Sequence, residues 1–327
     1  MERVRVGIVG VGHMGSLHAR ILSRDERVQL VAFYDVLTDV CQARAKTFGV
    51  DAASCLDDLI ERVDAVYVAT PNTGHVEPVL RALQAERHVF CEKPLATSLA
   101  EARRVYDAWR SNHTVFQVGH NRRFAPVYQR VKALLDDERW RPHSAHVKMN
   151  RGELLSPPWV GDPTITGGFL YETTIHMLDL LRWFFGDAEA LTVQASKHSY
   201  RECDDFSMLI RFANGLHATL ASSADASWHF PFERLEVFCH HGTIESQEMD
   251  RLSYTLGLES QTLTESFDML DREVRWGYVQ EDRAFIDAIL AGQGAPVSVE
   301  DGLKAVELVD ACYRAARSGE TVHLAAR

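Results

Sequence analysis

The sequence predicts an α/β chain in two parts: a doubly wound parallel sheet, then an α+β region with a mostly antiparallel, open sheet. Three observations carry that expectation. Apolar strand-like runs alternate with helical patterns over roughly the first 120 residues, the pattern of a parallel sheet with helices on both faces. The first run, Val6 to Val9, ends in Gly10-Val11-Gly12-His13-Met14-Gly15 and passes directly into a helical pattern with Leu17, Ile21 and Leu22 on one side. Beyond about residue 121 the alternation stops and short strand-like runs follow one another, with Asn214-Gly215 as a two-residue hairpin signal.

In chain order, Val28 to Tyr34 reads as the second strand and ends at Asp35. Val40 to Phe48 reads as a helix stopped by Gly49, and Leu56 to Ile60 as a short helix with Ser54 as its cap. Asp64 to Thr70 reads as a buried strand ended by Pro71-Asn72. His75 to Ala85 is helical through Val76, Val79, Leu80 and Leu83. His88 to Cys91 is a strand running into Glu92-Lys93-Pro94. Ser98-Leu99-Ala100-Glu101 is a capping box, opening a helix to about Asn112. Thr114 to Gly119 closes this part, followed by His120-Asn121-Arg122-Arg123-Phe124. The second part reads as strands at Ser144–Asn150, Leu191–Ser196, Ser207–Phe212, Leu216–Ser222, Arg234–His240 and Thr243–Glu245. A helix starts near Leu170, and two more, Gln280–Ala291 and Val299–Ala316, pack on either part.

Strand, tight turn and helix around G-x-G-x-x-G form a dinucleotide fingerprint. Gly10 would make the turn, Gly12 admit a pyrophosphate and Gly15 let the helix lie close to the strand. The backbone of His13 and Met14 would open the helix N-terminus toward phosphate. Asp35 lies 20 positions after Gly15, the offset of a carboxylate that binds ribose hydroxyls. Val36 and Leu37 follow and no arginine does, so a 2′-phosphate would meet a negative charge without a nearby cation. That favours NAD over NADP. The bland reading is a glycine-rich turn beside a surface aspartate.

Composition narrows the partners. The 327 residues, 46% hydrophobic and 25% charged, suit two folded domains rather than a disordered chain. A formal net charge of -11 argues against nucleic acid or an anionic membrane surface. No apolar run approaches a membrane span and no signal-peptide pattern opens the chain. Six scattered cysteines without C-x-x-C suit free thiols in a reducing cytoplasm.

Hydride chemistry needs a base and a charge stabiliser at the reacting oxygen. Lys93, just past a strand end, fits the cation. His176 fits the base, with Glu172 one helical turn before it as orienter or relay; Asp179 continues that polar stripe at i, i+4, i+7. Two alternatives stay open: a structural Glu172–His176 pair, or metal ligation with Asp179 as the one further ligand in view. Arg122 and Arg123 suggest a basic pair of which one meets a carboxylate. His13, His18 and His240-His241 default, as side chains, to surface or core roles.

These segments together resemble the Gfo/Idh/MocA family, the group of glucose–fructose oxidoreductase and inositol dehydrogenase, nearly end to end. The carriers are G-I-V-G-V-G-H-M-G, A-T-P-N-T-G-H, C-E-K-P-L-A, G-H-N-R-R-F and G-G-F-L-Y-E-T-T-I-H-M-L-D. The resemblance implies a Rossmann domain over residues 1–121. Residues 122–327 would form a substrate-binding and oligomerisation domain, pairing chains into a homodimer or homotetramer through its sheet. It implies that Lys93 is the motif lysine, that His176 is the acid/base, and that Thr70, Pro71, Asn72, His75, Glu92, Lys93 and His120 or Asn121 serve the cofactor site. Sugars, polyols and their keto derivatives are the expected substrates. The family pattern has Asp where Glu172 stands and Gly where Thr174 stands, so Glu172 carries its role less securely. Two other readings remain: a glycosidase using NAD for transient oxidation, whose known examples tend to lose the motif lysine, and a non-catalytic nucleotide sensor. Trp159, Trp228 and Phe230 would stack on a sugar ring or fill an interface.

Overall fold

The structure, a computed structural model of the chain, describes residues 3–152, 157–227 and 231–324. Trp228 and Phe230 lie outside the described residues; Trp159 is partly exposed. The chain divides into two compact units, residues 1–120 with 278–306, and residues 121–277 with 307–327. The expected boundary after residue 121 leaves the C-terminal helices open to either part, and residues 278–306 group with the first unit. The helix Tyr278–Ala291 belongs to the first unit, and the helix Val299–Ser318 contributes to both.

The first unit holds a six-stranded sheet of β1 (Val4–Val9), β2 (Val28–Tyr34), β3 (Asp51–Ala52), β4 (Ala65–Val68), β5 (His88–Glu92) and β6 (Phe116–Gly119). The order is β3-β2-β1-β4-β5-β6, and every pairing is parallel. Such a sheet is covered on both faces, which is why its strands are continuous apolar runs: β4 and β6 are buried at every residue. Strand order reverses between β1 and β4, which opens a crevice at their carboxyl ends. The core joins Val6, Ile8, Tyr67 and Phe90 to Phe285 and Ile286 of the helix Tyr278–Ala291. Tyr67 and Phe90 stack at 4.5 Å. The capping box at Ser98 forms, its Oγ accepting from Glu101 N–H at 3.3 Å. The cap of the helix Leu56–Glu61 differs from expectation: Cys55 Sγ accepts from Asp58 N–H. Ser54 instead donates its own N–H and hydroxyl to the Asp58 carboxylate.

The second unit carries a nine-stranded sheet of β7 (Pro142–Asn150), β8 (Ala188–Ser196), β9 (Asp205–Phe212), β10 (His217–Ser223), β11 (Glu233–Cys239), β12 (Gly242–Gln247), β13 (Arg251–Leu256), β14 (Leu263–Ser266) and β15 (Val322–His323). The order is β14-β13-β12-β11-β7-β10-β9-β8-β15. Among the described residues only β7 and β10 pair in parallel in this sheet. Side chains alternate between faces: Phe206, Met208, Ile210 and Phe212 are buried, whereas Ser207, Leu209 and Arg211 point outward. The β9–β10 connection is one residue longer than its Asn-Gly signal suggests. Gly215 N–H donates to Phe212 O, Phe212 N–H to Leu216 O, and Gly215 sits at φ +87°. This is a type of turn in which glycine takes the left-handed position of a three-residue loop.

Candidate active site

In the first unit the fingerprint builds a close, open turn. Gly10 has φ +84°, and a Cβ there would stand 2.7 Å from Thr70 N, so β1 and β4 approach without side chains between them. A Cβ on Gly15 would stand 1.9 Å from Gly10 O, so the helix His13–Leu22 starts hard against the turn. Gly12 faces open space, and the backbone of this helix start has no side-chain cap. Unclaimed N–H groups at a helix N-terminus with room beside them fit a pyrophosphate. His13 is exposed and Met14 half-buried at this start. Asp35 accepts Val11 N–H and Leu37 N–H, each at 2.9 Å, so its carboxylate is held beside the turn at the end of β2. Val36 beyond it is 83% exposed. These residues fit a dinucleotide with free ribose hydroxyls.

The loops after β4 and β5 are fastened to each other. His75, fully buried, places Nδ1 2.7 Å from Pro94 O and Nε2 2.9 Å from Thr70 O. Burial pulls the His75 pKa below the ordinary histidine value, against the two carbonyl contacts. Asn72 is buried and Pro71 exposed in the same loop. Glu92 ends β5 with Oε2 accepting Lys93 N–H at 3.1 Å, and Oε1 3.0 Å from His18 Nε2. His18 Nδ1 lies 2.8 Å from Asp282 Oδ1. Burial opposes charge on the His18 ring, but the charge and hydrogen bond of Asp282, then those of Glu92, outweigh it. The His18 pKa is raised well above the ordinary value. Lys93 is half-buried at the strand end.

In the second unit the polar stripe lies on a helix that begins as one π-turn, Leu170–Thr174, and continues as the α-helix Ile175–Phe185. A π-turn inside an α-helix often marks a functional position. Glu172 lines a cleft of about 320 Å³, counting its open mouth, with Arg151, Thr166, Thr173, Tyr200 and Glu202. His176 is 9% exposed. Asp179 is committed to Arg123, which donates Nε to Oδ2 at 2.8 Å and Nη2 to Oδ1 at 2.6 Å. That ion pair accounts for the aspartate, and among the described residues no group of three or more candidate ligands gathers for a metal. Arg122 forks onto Glu233 Oε2 through Nε and Nη2 at 2.9 and 2.7 Å, while Tyr128 OH donates to Oε1 at 2.7 Å. Both arginines, not one, are structural clasps. Asn121, buried, donates Nδ2 to Trp276 O at 2.8 Å.

Comparison with known proteins identifies the family. The profile of the Gfo/Idh/MocA oxidoreductase family, NAD-binding Rossmann fold, matches residues 4–120. The profile of that family's C-terminal alpha/beta domain matches residues 140–324. The chain belongs to the Gfo/Idh/MocA family.

It is thus an oxidoreductase with an NAD-binding Rossmann domain, and relatives of full length agree. Inositol 2-dehydrogenase of Rhizobium meliloti is 26% identical over 333 residues, covering 98% of this chain and 99% of that one. Myo-inositol 2-dehydrogenase of Thermotoga maritima is 27% identical over 334 residues, covering 98% of each. The solved structure of GenD2 from gentamicin A biosynthesis, in complex with NAD, is 27% identical with a TM-score of 0.87, covering 100% of this chain and 97% of that one. Within this family member, the first unit brings together the fingerprint glycines, Asp35, Thr70 and His75, with Glu92 beside Lys93. Asn121, Glu172 and His176 belong to the second unit. Sequence reasoning leaves His18 to a surface or core role without joining it to Asp282, and the structure places it in the core. Its signal was present but faint: Asp282, Phe285 and Ile286 fall at i, i+3, i+4, which places an acid on the buried face of a helix.

Proposed function

We propose that the protein exchanges a hydride between NAD(H) and a hydroxyl or keto carbon of a sugar, cyclitol or related polyol. The observation that carries this reading is Lys93. It stands at the carboxyl end of β5, on the sheet edge that bears the fingerprint turn, with its backbone N–H fixed by a buried carboxylate. Full-length similarity to inositol dehydrogenases supports the substrate class.

When bound, the nicotinamide supplies the hydride chemistry. In the oxidising direction the substrate hydroxyl loses its proton to the His176 imidazole, and Glu172 orients that ring. The Lys93 ammonium stabilises the charge developing on the substrate oxygen. Gly10, Gly12, His13, Met14 and Gly15 hold the pyrophosphate by backbone, and Asp35 takes the ribose hydroxyls and disfavours a 2′-phosphate. Thr70, Pro71, Asn72, His75, Glu92 and Asn121 shape or brace the nicotinamide side. The outward face of the nine-stranded sheet, carrying Ser207, Leu209 and Arg211, pairs chains into a homodimer or homotetramer. Four buried free thiols, Cys41, Cys91, Cys239 and Cys312, suit a cytoplasmic setting. No helix among the described residues is long and apolar enough to cross a membrane.

The test is a fluorescence titration with NADH and NADPH, followed by an absorbance screen of sugars and cyclitols with the preferred nucleotide. Tighter NADH binding and turnover on one substrate class are expected. Cleavage of an aryl glycoside without net NADH formation, or binding without turnover across the whole panel, would overturn the reading.

A further inference from the structure

We propose that His18 is a positioning residue for the Glu92–Lys93 strand end, acting as an imidazolium clamped between two buried carboxylates. The inference rests on the reading of Lys93 given above. His18 sits one helical turn after Gly15, on the helix whose first turn fits the dinucleotide phosphates. Its ring is fully buried, with Glu92 on one nitrogen and Asp282 on the other; their side chains are 8% and 1% exposed. One imidazole therefore ties the phosphate-side helix, the strand bearing Lys93 and the returning helix Tyr278–Ala291 into a single polar link.

The proton count follows from the contacts. A neutral imidazole has one N–H and one lone pair. Its lone pair would face a carboxylate oxygen across 3.0 Å on the Glu92 side or 2.8 Å on the Asp282 side. Only the doubly protonated ring donates to both. The competing site for that second proton is Asp282: burial raises its carboxyl above the usual carboxylate range, and the charge and hydrogen bond of His18, with the Tyr67 hydroxyl, pull it back. Tyr67, Phe90 and Tyr278 place their rings 5.6, 4.9 and 6.4 Å away. Glu281, next to Asp282, adds negative charge in the neighbourhood of Tyr67, while Lys93 and His75 act on Glu92 from its other side.

The link reaches the site through Glu92. Its Oε1 faces His18 and its Oε2 accepts the Lys93 N–H. The carboxylate also fills the space that a side chain at position 119 would take, since a Cβ on Gly119 would stand 3.1 Å from Glu92 Oε2. Glu92 thus has a narrow seat, and His18 holds it there. His18 does not touch the substrate in this scheme; it fixes where Lys93 begins.

Two readouts test this without assuming a substrate. In protein labelled with 15N-histidine, both ring nitrogens of His18 should resonate as protonated from pH 6 to pH 8. In Asp282→Asn, which keeps shape and polarity, amide hydrogen exchange at Lys93 should accelerate at least about tenfold, because the Glu92 acceptor is released. With an active substrate, the same variant should lose kcat about tenfold at pH 7 with KM little changed. It should also gain a fall in kcat with rising pH that the wild-type enzyme lacks. A neutral His18 ring at pH 7 would overturn the proposal, as would wild-type exchange at Lys93 in Asp282→Asn. Absence of turnover in the wild-type protein would instead strike at the proposed function, leaving the ring signals and amide exchange to decide on His18.

Discussion

Two buried ionic clusters, one in each unit, differ in how their charges are matched. In the second unit each guanidinium forks onto one carboxylate, Arg122 on Glu233 and Arg123 on Asp179, and a tyrosine hydroxyl satisfies a further Glu233 oxygen. In the first unit one imidazole serves two carboxylates. A guanidinium never loses its proton at ordinary pH, so the second arrangement is fixed. An imidazole does lose it, so the first depends on conditions. Matched pairs are suited to holding a helix in place. The mismatched cluster lies directly behind Lys93, where a change of protonation reaches the site.

The largest effect expected from breaking this contrast is in the matched cluster. Asp179→Ala removes the buried carboxylate onto which Arg123 forks, and should cost about 3–5 kcal/mol in urea unfolding. Replacing both partners together, Arg123→Met with Asp179→Leu, should recover most of that loss. Persistence of the full loss in the double variant would mean that the pair does more than satisfy itself. Next in size are Lys93→Ala and His176→Ala. Each should lower kcat by about a hundredfold or more, the scale of general acid–base and charge-stabilising groups, with little change in melting temperature. Near-normal rates in both would remove them from the mechanism.

A smaller effect separates the clusters by pH. Because the folded pKa of His18 is raised above the unfolded value near 6.5, its stabilising contribution is complete below that value and is lost as pH rises through the folded pKa. Urea midpoints should therefore decline on the alkaline side, and a His18→Leu/Asp282→Leu double variant should flatten that decline. The guanidinium groups of Arg122 and Arg123 keep their charge over that range. The smallest shift is expected at Asp35→Ser, which should narrow the preference for NADH over NADPH by about tenfold, or 1.4 kcal/mol, in fluorescence titrations. An unchanged ratio would show that nucleotide choice is made elsewhere.

What was legible in the sequence had local signals. Five of the six parallel strands of the first unit are apolar runs interrupted by helical patterns, and the fingerprint sets glycine, aspartate and helix at fixed offsets. In the second unit β9 and β10 could be read from their alternation. By contrast β3 and β15 have two residues each, too short for any period. β13 and β14 end the sheet at an edge, where both faces carry polar residues and periodicity fades. The π-turn at Leu170–Thr174 escapes a reading based on 3.6 residues per turn. The ionic clusters escape for a different reason. His18 and Asp282 are 264 positions apart, and Arg122 and Glu233 are 111 apart. No window along the chain contains both partners, so the residues pass for a core histidine and a basic pair until the fold joins them.

The discontinuous first unit has a consequence for how the protein is made. Phe285 and Ile286 complete the core that begins at Val4, yet residues 121–277 must be synthesised before them. At about 5–20 residues per second, that delay is roughly 10–30 s on the ribosome. During that interval the N-terminal strands exist without the helix that covers them, and His18 and Glu92 wait for their third member. A fragment ending at residue 120 should therefore be less resistant to urea than the first unit in the full chain, because it lacks Phe285 and Ile286 of the shared core.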